Sequence, residues 1–258
     1  MIDIIVCLVA GLGAGVGTGF AGMSAAAVVS PMLIILLDLP AFEAIGIALA
    51  SDVLASAVSA VTYAKNKNID IKNGLIMMAC IILFTVVGSW VSSLVPDKAM
   101  GSASLVFMFI LGVKFLIKPI LKTESQTTEK SFKYKVIGSI ISGILIGFVC
   151  GFIGAGGGMM MLFVLTSVLG YDLKMAVGTS VFIMTFTALT GSLSHFAIGG
   201  ITNWVHLVTC VVSTLVFAVV SARIANKAKP ETLNKVVGVV LLVIGITMMI
   251  FEIVKAIV

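Results

Sequence analysis

Apolar runs long enough to cross a lipid bilayer follow one another along nearly the whole chain, separated only by short polar links. A membrane-crossing helix needs roughly 20 apolar residues. Backbone in lipid must satisfy its own hydrogen bonds, so runs of this length become helices. The composition agrees: 60% of the 258 residues are hydrophobic and 10% charged, where a soluble domain carries about 25% charged residues. The fold class expected is an all-α polytopic membrane protein, with the lipid bilayer as a partner. The net charge of +5 does not point to nucleic acid, because the lysines lie between apolar runs, where basic residues set topology. Met1-Ile-Asp enters an apolar run with no basic stretch before it, so a separate signal peptide is not expected. Cys7, Cys80, Cys150 and Cys210 lie in apolar segments without CxxC spacing and read as buried free thiols, not ligands.

The chain also matches itself. Shifted by 132 residues, Gly11 to Ile69 aligns without a gap on Gly143 to Ile201. Gly11 pairs with Gly143, Gly15 with Gly147, Gly19-Phe20 with Gly151-Phe152, and Gly22 with Gly154. Leu33, Leu37, Ala44 and Gly46 find identical partners further on. Glycine weakens helices and lets backbone approach a ligand or another helix, so a repeated glycine pattern in lipid marks helices broken at matching places. Internal repeats and broken helices are signs of secondary transporters.

The pattern GFxGxGGG, an apolar run, AVGTS and a small-residue tail ending in GGI resembles the TauE/SafE family, the 4-toluene sulfonate uptake permeases. The resemblance extends over both halves and is strongest at Gly151 to Gly158 and Ala176 to Ser180. In the first half Ser24, Ala25 and Ala26 stand where the family has glycines; Phe163 replaces a family proline that Pro31 retains. The resemblance implies sulfite, a sulfonate, or another small sulfur-containing or carboxylate anion as the substrate.

Taken in order, residues 1–117 form one membrane repeat, 118–135 a lysine-rich cytoplasmic linker and 136–258 a second repeat. Each repeat opens with a bent helical pair, Ile4–Thr18 with Gly22–Leu37 and Val136–Cys150 with Ala155–Gly170. Further spans are expected over Ala44–Ala64, Asn73–Leu94, Ala99–Ile117, Leu173–Phe196, Trp204–Ile224 and Val236–Val254. The Lys65 to Lys72 link is basic, whereas its repeat partner Ala197 to Asn203 is not; Val95 to Lys98 is nearly neutral, whereas its partner Arg223 to Lys235 is basic. Under the positive-inside rule this reversal is what two inverted repeats of about five helical segments each, with both termini outside, would produce; a cytoplasmic (inner) membrane is the default location expected.

Asp52 is the sharpest single residue. A mid-membrane carboxylate costs about 2.5 to 3.5 kcal/mol on insertion scales and is functional by default; it is the candidate carrier of a coupling proton. A structural hydrogen bond to a neighbouring helix is the competing role. Its repeat partner is Met184. The glycine turns are the candidate substrate cradle, because helix N-termini offer free N–H groups and partial positive charge to an anion. The residues assigned to it are Gly22, Ser24, Ser51, Gly154, Gly156, Gly157, Gly158, Thr179 and Ser180. Close helix packing is the ordinary use of glycine in membranes and weighs most for Gly11 to Gly19. Thr185, Thr187, Thr190, Ser192 and Ser194 are candidates to line a path but read mostly as interhelical glue, and Ser56, Ser59 and Thr62 as a polar stripe extending from Asp52. His195 and His206 read as interfacial, and Met159 to Met161 as gap-fillers.

No cofactor and no metal are expected. The chain lacks HExxH, a pair of membrane carboxylates and a nucleophile beside a base, so an enzyme is not expected. The function expected is a secondary transporter of a small anion by alternating access, with proton coupling through Asp52 an open option; the alternative is a passive anion channel on the same scaffold.

Overall fold

A computed structural model describes residues 2–96, 132–154, 157–200 and 203–228, with isolated positions between 232 and 246. The spans expected at Ala99–Ile117 and Val236–Val254, Gly156 and most of the linker lie outside the described residues. Every regular element described is helical: α1 (Ile2–Ala21), α2 (Ala26–Leu36), α3 (Ala41–Lys65), α4 (Ile71–Ser92), α5 (Phe132–Ile153), α6 (Gly157–Phe163, extended by a π-helical turn over Val164–Val168), α7 (Leu173–Gly199) and α8 (Trp204–Lys227). Six of these are long and apolar enough to cross a membrane. Val208, Val212, Val216 and Val220 recur every fourth residue along α8 and all stand exposed. An apolar stripe turned outward is natural only where the solvent is lipid.

The helix breaks fall later than expected. Gly19 and Gly151 remain inside α1 and α5, which run on to Ala21 and Ile153, and α5 already begins at Phe132, within the stretch read as linker. The reason is packing. Along α1, a Cβ at Gly11 would strike Ser213, at Gly15 Phe217 and Ala218, and at Gly19 Ser221 and Ala222 of α8. Along α5, Gly143 meets Cys80 and Ile81, Gly147 meets Phe84, and Gly151 meets Thr85 and Ser89 of α4. Numbers rise together in both pairs, so α1 runs parallel to α8 and α5 parallel to α4. Each glycine stripe therefore lets a helix of one half lie backbone to backbone on a helix of the other.

Helices α3 and α7 form the middle of the bundle and run antiparallel. Gly46 lies against His195 and Phe196, Leu49 against Gly191, and Tyr63 and Asn68 against Gly178. The ends of the bundle differ in charge. Lys65, Lys67, Lys72, Lys174, Arg223 and Lys227 gather where α3 and α8 end and α4 and α7 begin, tied by the Lys174 Nζ to Asn226 carbonyl bond (3.0 Å) and the Asn68 to Asn226 side-chain bond (3.5 Å). The opposite end carries Asp3, Asp38 and Glu43 and, among the described residues, no lysine or arginine; there the Asn203 N–H donates to Glu43 Oε1 at 3.0 Å.

Candidate functional site

The chain reverses at the same point of each half. Gly22 has φ +60° and Gly154 φ +72°, a left-handed conformation that glycine adopts without strain. At the end of α1 the Gly22 N–H donates to the Thr18 carbonyl (3.0 Å) and the Met23 N–H to the Gly17 carbonyl (3.3 Å), which closes the helix as a left-handed C-cap does. At the end of α5 the Gly154 N–H donates to the Cys150 carbonyl at 2.9 Å. The two turns rest on equivalent side chains: a Cβ at Gly22 would stand 3.3 Å from Val177 Cγ1, and one at Gly154 3.3 Å from Ile45 Cβ. Val177 and Ile45 are themselves 132 residues apart.

The turns also meet each other. Gly158, in the first turn of α6, lies so close to the first hairpin that a Cβ there would be 2.8 Å from the Ser24 nitrogen and would overlap the Gly22 carbonyl oxygen and the Met184 sulfur. Gly157 is looser; its Cβ would meet Cys150 Sγ at 3.1 Å. All of these residues are buried.

Asp52 sits at this meeting point, on α3, 1% exposed. Its Oδ2 accepts from the Ser24 hydroxyl at 2.8 Å, and Ser24 Oγ in turn accepts from the Ala26 N–H at 3.3 Å, at the start of α2. In this arrangement the hydroxyl of the first turn is engaged by the protein's own carboxylate. Oδ1 has no hydrogen-bond partner, and neither has the buried hydroxyl of Thr18, although Thr18 and the Ala25 N–H both adjoin the carboxyl. Cys150 of α5 lies within reach of its field. The repeat partner of Asp52, Met184, occupies the matching place beside Gly158, so one turn faces a carboxylate and the other a thioether.

The other assigned hydroxyls are dispersed. Ser180 is closest to the first turn, donating to its own helix at Val177 (2.8 Å) and reaching the Gly22 carbonyl at 3.5 Å. Ser51 is buried but donates to Ile47 of its own helix at 2.9 Å. Thr179 Oγ1 accepts from the Asp70 N–H at 3.0 Å and so serves the α3–α4 link. Thr185, Thr187, Thr190, Ser192 and Ser194 were expected to bond between helices; each instead donates to a carbonyl three or four residues back, the usual resort of a hydroxyl inside a helix. A cavity of about 520 Å³ opens at the basic end, where Asp70 and Lys72 face Tyr171, Asp172 and Met175. The Tyr171 hydroxyl donates to Asp70 Oδ2 there at 2.7 Å.

His195 is a functional candidate that sequence reasoning set aside as interfacial. It is 1% exposed. Its Nδ1 lies 3.1 Å from the Phe42 carbonyl and its Nε2 3.0 Å from the Gly151 carbonyl, and its ring lies over that of Phe42 with centroids 4.3 Å apart. Gly151 is within the last turn of α5, where carbonyls lose their helical partners, so His195 ties the second hairpin to α3. His195→Ala is expected to lower the melting temperature of the purified protein, since each buried group left unpaired costs about 1–3 kcal/mol. His195→Gln, which keeps a donor, should recover part of the loss; equal melting points for both variants and the parent would remove the ring from this role.

The family profile described as Sulfite exporter TauE/SafE matches residues 7–248. A probable membrane transporter protein of Bacillus subtilis, YunE, is 27% identical over 93% of this chain and 95% of its own. A second from the same organism, YdhB, is 25% identical over 82% and 86%. The probable membrane transporter protein MJ0441 of Methanocaldococcus jannaschii is 25% identical over 91% and 88%. No solved structure matches the chain significantly.

Proposed function

The chain belongs to the sulfite exporter TauE/SafE family, and from that membership we propose that it is a secondary transporter moving a small sulfur-containing anion by alternating access. The observation that carries the mechanism is the contact of Gly158 with Gly22 and Ser24 beside the buried Asp52. Two glycine-broken hairpins, one from each half, close upon each other at the centre of the bundle. An anion bound there is held by backbone N–H groups and hydroxyls, because no buried lysine or arginine is present among the described residues. Admitting it requires the hairpins to part.

The two halves act as inverted repeats. Helices α3 and α7 are repeat equivalents and cross antiparallel, as a two-fold axis in the membrane plane demands; an axis along the membrane normal would keep them parallel. Rocking one half against the other across the crossed glycine stripes then exposes the centre to each side in turn. By the positive-inside rule the end bearing Lys65, Lys67, Lys72, Lys174 and Lys227 faces the cytoplasm, the N-terminus faces outward, and the 520 Å³ cavity is the cytoplasmic mouth. A Lys67→Cys protein should react with an impermeant maleimide in inverted vesicles and not in intact cells; the reverse pattern would turn the protein over.

Asp52 couples transport to protons. The reading is tested by thermal shift of the purified protein against sulfite, thiosulfate, short sulfonates and carboxylates. A true substrate at 100 times its Kd adds about 2.7 kcal/mol to the native state. Flux of that anion into proteoliposomes should saturate and increase with an imposed proton gradient. A linear flux indifferent to the gradient would make the protein a channel, and no shift with any of these anions would remove the substrate class.

A further inference from the structure

Asp52 is the one buried carboxylate among the described residues, and no buried lysine or arginine accompanies it. The groups that adjoin it are Thr18 on α1 and Ser24 and the Ala25 N–H of the first turn, with Cys150 on α5 within reach of its field; none is a fixed cation. A carboxylate removed from water is costly unless its charge is balanced. Two oxygens at this place lack partners: Oδ1 of Asp52 and Oγ1 of Thr18. They belong to different helices, both are fully enclosed, and Thr18 stands at the edge of hydrogen-bonding reach of the carboxyl. Thr18 lies in the last turn of α1, the end of a helix that carries about half a negative charge; the Gly17, Thr18 and Gly19 carbonyls there already accept from Met23, Gly22 and Tyr63. Unwound backbone and half-helix C-terminal ends are where discontinuous helices coordinate sodium in transporters.

An all-oxygen set of one carboxylate, one hydroxyl and a helix C-terminus suits a hard cation, and a single carboxylate balances a single positive charge. We propose that Thr18 and Asp52 bind a sodium ion between the end of α1 and the middle of α3. Sodium and the proton then compete for one carboxyl. Occupancy holds the first turn against α3, because the same carboxylate accepts from Ser24. The role of this ion in coupling rests on the transporter reading; its binding does not.

The test uses the purified full-length chain and radioactive sodium in a scintillation proximity assay at about pH 8, with choline as the balancing cation. Saturable binding near one ion per chain is expected, with a melting temperature that rises in sodium and not in choline. Thr18→Val and Asp52→Asn should each weaken binding at least tenfold, whereas Thr18→Ser, which keeps the hydroxyl, should bind as the parent does. Absence of saturable binding in the parent, or undiminished binding in Thr18→Val, overturns the site. Anion-induced thermal shifts measured in choline salts report separately on the transporter reading, so either proposal can fail alone.

Discussion

Gly158→Val is expected to abolish anion flux in proteoliposomes and to lower the melting temperature of the purified protein. The first atom of any side chain at this position meets backbone, the Gly22 carbonyl and the Ser24 nitrogen, as well as the movable Met184 sulfur. A side chain can rotate away; a left-handed turn fixed by its own hydrogen bonds cannot. Overpacking a filled site costs about 1–3 kcal/mol, and here the strain falls on the contact between the hairpins. Gly158→Ala should therefore already cut flux roughly tenfold, since about 1.4 kcal/mol is a tenfold change in a rate. Gly138→Ala is the control, because its Cβ would find its nearest neighbour, Val168 Cγ1, at an ordinary 3.6 Å, and alanine is the better helix former. If Gly158→Ala melts and transports like Gly138→Ala, the two turns do not meet in the working protein.

How far this centre was visible in the chain differs from residue to residue. Gly22 and Gly154 could be found because a break must occur at the same place in both copies, and the self-match aligns them. Gly19 and Gly151 were read as part of the break, yet they continue helices. The four-residue spacing of Gly11, Gly15 and Gly19 was the available signal for a packing stripe, but which helix lies across it depends on the tertiary fold. Asp52 was legible from the cost of a carboxylate in lipid alone. Its partners were not: Ser24 was assigned to the anion, and Thr18 was passed over, because only the reversal at Gly22 brings the end of α1 and the start of α2 to the middle of α3. His195 was misplaced for a related reason. Near the end of its helix, it is enclosed by Phe42 and by the broken end of α5, neither of which is near it in sequence. Local pattern located the breaks and the charge; long-range packing decided what touches them.

Asp52→Asn is expected to separate two properties that usually fall together. The substitution keeps the size of the side chain and an oxygen for the Ser24 hydroxyl, and it removes the charge. If Asp52 carries the coupling cation, anion uptake driven by an imposed gradient should fall to the level of empty vesicles, while exchange of labelled for unlabelled anion continues, since exchange needs the hairpins to part but needs no net cation movement. Stability should hold or rise. A buried charge without a counter-charge is costly to the native state, so its removal relieves that cost, and 1 kcal/mol moves the melting temperature by about 2–4 °C for a chain of roughly this size. The competing role, a structural bond from Ser24 to the carboxylate, gives opposite signs: a lower melting temperature, with exchange and gradient-driven uptake reduced together. Asp52→Glu sharpens the contrast, because it retains the charge but lengthens the side chain in a buried site beside Ser24 and Thr18. It should keep some coupling and lose stability, the inverse of Asp52→Asn. If the Asp52→Asn protein still accumulates anion against a gradient, the coupling cation is carried elsewhere in the bundle.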